Sequence, residues 1–149
     1  MYSHEPPDYV CPFCRYLTTG LADLPMEELF RDGEVFVKLN PKQWTNNRGG
    51  LLVIPVDHHE NVYDLPPELG TPIQRAVRTA AIALKDAFGC DGVSTRQHNE
   101  PAGNQDVWHY HVHVFPRWSG DALYQSAGDF ADAAEIHDLA ERLRAVWPS

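Results

Sequence analysis

Hydrophobic and polar positions along the chain predict short strands interspersed with amphipathic helices. The apolar runs Val35 to Leu39 and Leu51 to Ile54 each stop just before a proline and are typical of strands, the second of them buried. Residues Val93 to Gln97 alternate in the manner of a half-buried strand, and Val107 to Phe115 is the strongest strand pattern in the chain. The sequence therefore predicts at least four strands, arranged in two neighbouring pairs.

Helical periodicity appears twice. Apolar residues recur every three or four positions between Pro67 and Gly89, and a similar pattern predicts a C-terminal helix over residues 129–147. Residues 1–10 are polar and proline-rich and predict an extended arm, whereas residues 41–50 predict a loop. The order strand, strand, helix, strand, strand, helix favours an α+β fold with an antiparallel sheet over a doubly wound parallel one.

Length and charge narrow the class of protein. The 149 residues suit a single domain over 1–149, and 43% apolar residues are enough to form a core. With 12 basic and 21 acidic residues the net charge is −9, which argues against binding to nucleic acid or anionic lipid by general electrostatics but leaves room for small phosphorylated ligands. No apolar run is long enough to cross a membrane, and the N-terminus lacks the features of a signal peptide. We expect a cytoplasmic domain with no membrane partner.

Three histidines at alternate positions are the most informative feature of the chain. In a strand, His109, His111 and His113 would lie on one face, about 7 Å apart, because side chains alternate between the two faces. Such a row can bind a metal, supply a nucleophile and proton donors, or line a solvated surface, and the alignment of all three favours the first two. The residues between them are predicted to face the core: Tyr110, Val112 and Val114.

The pair Cys11 and Cys14, separated by Pro-Phe, permits two interpretations. The spacing suits a glutaredoxin-like redox pair, and it also suits one half of a zinc site. A redox pair of that type follows a first strand, which residues 1–10 do not predict, so the zinc site is favoured. The third cysteine, Cys90, is predicted to be simply buried.

The stretch His109 to Phe115 resembles the signature of the histidine triad family, in which three histidines alternate with apolar residues and two apolar residues follow. The apolar strand ending at Pro55, with His58 downstream, and the positions of Asn99 and Gln105 agree with the family in order and spacing. The resemblance implies an antiparallel sheet of about five strands with one long helix and a C-terminal helix packed on it. It also implies a homodimer that binds nucleotides at the sheet surface.

The same resemblance implies roles for individual residues. His111 occupies the position that attacks the α-phosphorus of a nucleotide to form a nucleotidyl-histidine, while His113, Gln105 and Asn99 would bind the phosphate or the sugar. The implied substrate is a phosphoramidate, an adenylate adduct or a dinucleoside polyphosphate. The alternative is a non-catalytic, nucleotide-binding regulatory protein that contains a structural zinc.

Some histidine triad proteins hold zinc with a Cys-x-x-Cys pair, an intervening histidine and the first histidine of the triad. Carried over to this chain, the resemblance implies a structural Zn²⁺ bound by Cys11, Cys14, His58 and His109. His59 is an alternative to His58 as the third of these ligands.

The chain departs from the family pattern at three places, one of which is Asn104, which lies between Gly103 and Gln105 where the family usually has glycine directly before glutamine. Where this sequence has Lys38, many members carry an acidic residue that accepts hydrogen bonds from the ribose hydroxyls. Three explanations stay open: another group makes this contact, the ligand lacks it, or Lys38 points to solvent from an edge strand. The segment 41–50 is longer than usual and is a possible lid. Within it, Trp44 is a candidate to stack on a base and Arg48 to pair with a phosphate, the alternative being an exposed loop.

Overall fold

The computed structural model describes residues 2–149, which form three helices and seven strands along with three short 3-10 turns. The helices are α1 (Pro12–Thr19), α2 (Gly70–Phe88) and α3 (Ala133–Arg144). The strands are β1 (Glu28–Arg31), β2 (Val35–Leu39), β3 (Lys42–Trp44), β4 (Leu51–Pro55), β5 (Gly92–Gln97), β6 (Val112–Arg117) and β7 (Gly128–Phe130). Within the described residues, no helix is both long enough and apolar enough to cross a membrane.

Five strands form one antiparallel sheet in the order β1-β2-β4-β6-β5, and β3 pairs with β7 in a separate two-stranded sheet. This confirms the α+β class with a five-stranded antiparallel sheet, one long helix and a C-terminal helix. The small sheet was not predicted, because β3 falls inside the loop expected over 41–50 and β7 overlaps the start of the helix expected from residue 129. Three-residue strands have little pattern of their own, and these two form by pairing across more than 80 positions of sequence.

The two faces of the large sheet pack against different parts of the chain. On one face, alternate residues of β2 such as Val35 and Val37 pack with apolar residues of α2 and α3. On the other face, Phe36 of β2 packs with Leu52 and Ile54 of β4 beneath Phe13 of α1. All five residues of β2 are therefore buried, and the second face is left partly free for a site near α1.

Several predicted boundaries were wrong. β6 begins at Val112 rather than at residue 107, because Tyr110 donates its backbone N–H to His59 and not to a neighbouring strand. The C-terminal helix begins at Ala133, where the Asp132 side chain caps the first turn. Helix α1 was not predicted; it is only eight residues long and ends at Gly20, whose φ of 74° closes the last turn.

Candidate active site and metal centre

The strand register places the chemically active side chains in one transverse row. Lys38 of β2 pairs with Leu52 of β4, Leu52 with His113 of β6, and His113 with Arg96 of β5. Directly opposed residues of an antiparallel sheet project to the same face, so these four side chains line one surface. That surface is the face opposite α2 and α3, and it forms the floor of a cavity of about 430 Å³.

His111 lies at this cavity and is nearly buried, and its hydrogen bonding fixes which ring nitrogen is reactive. Its Nδ1 is 2.8 Å from the backbone carbonyl oxygen of His109. A carbonyl can only accept, so Nδ1 carries the hydrogen and Nε2 keeps its lone pair. The side chain of Asp106 lies near that free nitrogen, with its Oδ1 3.6 Å from Nε2. The interaction with His111, which becomes a hydrogen bond when the ring is protonated, lowers the pKa of Asp106 to about 2, so this carboxylate is ionised at neutral pH.

His113 presents the opposite arrangement. Asn40 accepts the Lys42 backbone N–H with its oxygen, which turns its NH₂ group toward Nδ1 of His113 at 3.5 Å. The ring hydrogen of His113 is then on Nε2, where it can be donated to a ligand. Burial, with a further contribution from His111, lowers the pKa of His113 to about 3, so the ring is neutral at pH 7. The two neighbouring imidazoles therefore differ in role, one offering a lone pair and the other a hydrogen.

A second cluster, which we call the metal centre, consists of Cys11, Cys14, His58 and His109. Their sulfur and nitrogen atoms all lie within 4.8 Å of one another, and the closest are the two Nδ1 atoms at 3.2 Å. Three of the sulfur–nitrogen distances are 3.3, 3.4 and 3.6 Å. Ligands at zinc-bond lengths in a tetrahedron are separated by about 3.3–3.8 Å, so these spacings fit a tetrahedral Zn²⁺ site.

The tautomers at the metal centre also fit a cation. His109 donates Nε2–H to the carbonyl of Pro55 at 2.8 Å, and His58 donates Nε2–H to the Glu5 carboxylate at 2.6 Å. Both Nδ1 lone pairs consequently point at each other across 3.2 Å, an arrangement that is repulsive unless a cation lies between them. Burial also raises the pKa of the Cys11 thiol to about 12, so a thiolate there at neutral pH requires a bound metal. The residues present fit zinc.

Comparison with known proteins identifies the family. A model of the HIT domain matches residues 25–120, more than half of the chain. The chain belongs to the HIT domain family. This HIT protein is 35% identical over 130 residues to the protein hit of Bacillus subtilis, which covers 87% of this chain and 86% of the relative. The histidine triad resemblance seen in the sequence is thereby confirmed.

Two further relatives bear on chemistry and on metal binding. Adenylylsulfatase HINT3 of Arabidopsis thaliana is 26% identical over 116 residues, which cover 78% of this chain and 56% of that protein. A zinc-bound histidine triad family protein from Mycobacterium smegmatis superposes with a TM-score of 0.73 at 27% identity, covering 91% of this chain and 94% of the other. The proteins similar to this chain therefore include an adenylylsulfatase and a zinc-bound histidine triad protein.

Two of the predicted substrate ligands in this HIT protein are engaged with the protein itself. Gln105 is buried and donates its amide hydrogens to the carbonyls of Glu60 and Val107 while accepting from the Glu100 backbone. Asn99 bonds reciprocally with Gln97 and accepts the Val62 backbone N–H. Through these hydrogen bonds both side chains stabilise the loops beside the cavity. Their direct contact with substrate stays a prediction.

The structure also places residues whose position the sequence left open. Lys38 does not point to solvent from an edge strand: β2 is flanked by β1 and β4, and Lys38 is 4% exposed at the cavity. Trp44 lines the cavity as well, in edge contact with Phe115. Arg48 instead forms ion pairs with Asp129 and Glu135, outside the cavity-lining residues.

Sequence reasoning missed several charged residues of the cavity, two of which lie beside the histidines. Asp106 lies five positions before His111 in the sequence. Arg96 of β5 is paired with His113 of the adjacent strand β6. No motif includes Arg96. Its place in an alternating strand pattern, next to the predicted triad strand, is the signal that could have identified it. His58, rather than its neighbour His59, is the histidine that joins the metal centre.

Proposed function

We propose that this HIT protein is a nucleotide hydrolase or nucleotidyl transferase in which Nε2 of His111 attacks the α-phosphorus of a nucleoside phosphate. The observation that carries the proposal is the hydrogen bond from Nδ1 of His111 to the His109 carbonyl, which leaves the Nε2 lone pair at the cavity. A neutral imidazole with one nitrogen so committed is a good nucleophile at pH 7. The activity named for the Arabidopsis thaliana relative, an adenylylsulfatase, supports a phosphorus electrophile.

In the first step, the Nε2 lone pair forms a bond to phosphorus, and the bond from phosphorus to the leaving group breaks with its electron pair departing on that group. An amine leaving group takes a proton from solvent as it departs. His113 donates its Nε2 hydrogen to a nonbridging oxygen as negative charge develops there. The nucleotidyl-imidazole ring then carries hydrogen on Nδ1 and is cationic. The ionised Asp106 beside it stabilises that charge.

In the second step, water or another hydroxyl acceptor attacks phosphorus from the side opposite nitrogen. The phosphorus–nitrogen bond breaks, its electron pair returns to Nε2, and the proton of the acceptor is lost to solvent. The histidine is regenerated in its starting tautomer, because Nδ1 keeps its hydrogen on the His109 carbonyl throughout.

The test is replacement of His111 with alanine, with His137→Ala as the control because His137 is an exposed histidine of α3 paired with Glu27. On an adenosine phosphoramidate we expect His111→Ala to lose at least about 1,000-fold in turnover while it still binds the nucleotide. Wild type incubated with the substrate and quenched in base should gain one adenylyl mass on His111. Saturable binding without turnover or adduct in the wild type would instead identify a non-catalytic nucleotide-binding protein.

We infer that the metal centre binds one structural Zn²⁺, which joins the N-terminal arm and α1 to the segment before β6. Zinc supplies structural cross-linking there, and the four residues of the centre are its ligands. Purified wild type should contain about one zinc per chain, and Cys11→Ser less than half of that. Cys90→Ala, which removes a buried cysteine outside the centre, should keep the zinc. Full zinc content in Cys11→Ser would contradict the inference.

The homodimer implied by the family resemblance stays a prediction, as does the cytoplasmic location. Light scattering on the purified protein measures the first directly, since a dimer has twice the chain mass of 16.8 kDa.

A further inference from the structure

Lys38 is a buried cation at the cavity that lacks an anionic partner. Its side chain is 4% exposed, and its ammonium group lies over the ring of Phe13, 5.7 Å from the ring centroid. Among the residues the structure describes, no carboxylate pairs with it, although the chain carries a net charge of −9. The two acidic residues that line the cavity are engaged elsewhere: Asp23 pairs with Arg15 and Asp106 lies beside His111.

A buried ammonium group without a counter-ion is costly, since burial removes its hydration and nothing replaces it. Burial alone lowers the pKa of Lys38 to about 8, with no contribution from a neighbouring charge, so the group is still largely protonated at neutral pH. A ligand that brings an anion to this position would recover the lost interaction. Lys38 is thus an unpartnered cation that can be satisfied from the cavity.

The position of Lys38 in the row separates it from the groups proposed to bind the reacting phosphate. Leu52 lies between Lys38 and His113, so two strand spacings, about 10 Å, separate the backbones of the two polar residues. Beyond His113 lies Arg96, whose guanidinium packs on the Phe115 ring and has a buried Nε without a hydrogen-bond partner. The floor therefore has cationic or hydrogen-donating groups toward both ends and an apolar residue between them.

We take a nucleotide to lie along this row with its 5′-phosphate at His111 and His113 and its phosphate chain directed toward the Arg96 guanidinium. Its sugar would then lie over Leu52, with the 2′ and 3′ positions toward Lys38. Free hydroxyls there would accept one hydrogen bond from the ammonium group but leave its charge unbalanced. A phosphate there supplies both charge and acceptors, and charge-assisted hydrogen bonds are the stronger kind.

We propose that the cavity selects nucleotides that carry a second phosphate on the ribose, at the 2′ or 3′ position, and that Lys38 binds that phosphate. The inference rests on the proposed function, because it takes the 5′-phosphate to lie at the histidines. It names a substrate class, the ribose-phosphorylated nucleotides, and a specificity-determining residue.

The experiment is calorimetric titration of the zinc-containing protein with adenosine 5′-monophosphate, adenosine 5′-diphosphate and the adenosine 2′,5′- and 3′,5′-bisphosphates. The diphosphate is the matched ligand, since it has the same number of phosphates with both at the 5′ end. Wild type should bind at least one bisphosphate about 10-fold more tightly than the diphosphate. Lys38→Met should weaken binding of that bisphosphate by about 10- to 100-fold and change the affinities for the monophosphate and the diphosphate by less than about threefold.

Two variants control for charge and for shape. Lys38→Arg keeps the cation and should retain most of the preference for the bisphosphate. Arg78→Met removes one positive charge from the exposed face of α2 and should leave every affinity unchanged. Because the preference is also measured in wild type, a variant that fails to fold does not remove the test.

Three results would overturn the inference. Equal affinity for bisphosphate and diphosphate, unaltered by Lys38→Met, would refute it while the proposed function stands. If Lys38→Met weakened the binding of bisphosphate and diphosphate equally, Lys38 would be assigned to the 5′-phosphate chain. Failure of wild type to bind any of the four nucleotides would refute the inference and the proposed function together.

Discussion

Replacing Lys38 with methionine should stabilise the protein near neutral pH. The unfolded chain holds the lysine proton with a pKa near 10.5, whereas burial lowers the pKa to about 8 in the folded protein. The side chain is 4% exposed, so little of this difference is screened by solvent. At pH 7 it corresponds to about 3 kcal/mol of destabilisation of the folded state. Methionine fills the volume of the lysine stem without the charge, so most of this free energy should be recovered.

The sign of the pH dependence distinguishes this effect from improved packing. Between pH 8 and 10.5 the unfolded chain holds a proton that the folded protein has released, so wild-type stability rises with pH through this group. The advantage of Lys38→Met should therefore shrink to about 1 kcal/mol near pH 9.5 and vanish above pH 10.5. A purely packing effect would be the same at every pH.

Thermal melts of wild type and variant at matched pH values from 7 to 10 measure the difference, since contributions from zinc and other groups then cancel. We expect Lys38→Met to melt about 5–10 °C above wild type at pH 7. Lys42→Met, the same substitution at a partly buried lysine, should shift the free energy of unfolding by less than about 1 kcal/mol. A variant that melts at or below the wild-type temperature at pH 7, or a gain independent of pH, would refute the reasoning. Retention of so costly a residue is the pattern expected of a binding group.

Two other perturbations follow from contacts elsewhere in the structure, one beside the metal centre and one where Gly49 meets Phe88. Glu5→Ala removes the carboxylate that accepts a hydrogen bond from His58, and we expect zinc affinity to fall about 10- to 100-fold in competition with a chelator. An unchanged affinity would show that this hydrogen bond does not support the metal. Gly49 has a φ of +117°, and a Cβ there would lie 2.6 Å from a ring carbon of Phe88. Gly49→Ala should therefore lower the free energy of unfolding, measured with urea, by about 2–4 kcal/mol. Gly33→Ala, with no atom within 4 Å of the added methyl group, is the control and should be nearly neutral; equal stability of the two variants would contradict the packing argument.

Local pattern determined much of this protein. Alternation between His109 and Val114 predicted which residues face the core, and the structure buries Tyr110, Val112 and Val114 against the helices as expected. The period of three to four residues before Gly89 predicted the long helix to within a turn. Both predictions succeeded because burial of one face imposes a period on the sequence that is visible without knowledge of the fold.

The tertiary structure decided what depends on partners distant in sequence. Cys11 and Cys14 meet His58 and His109 only because α1 closes onto the segment before β6, a contact across almost 100 positions. The sequence left open whether Lys38 is exposed or buried, since a lysine in a strand is compatible both with an exposed edge strand and with a buried central strand. Pairing of β2 with both β1 and β4 put it in the interior, because strand order, and not the strand's own pattern, determines which side chains water can reach.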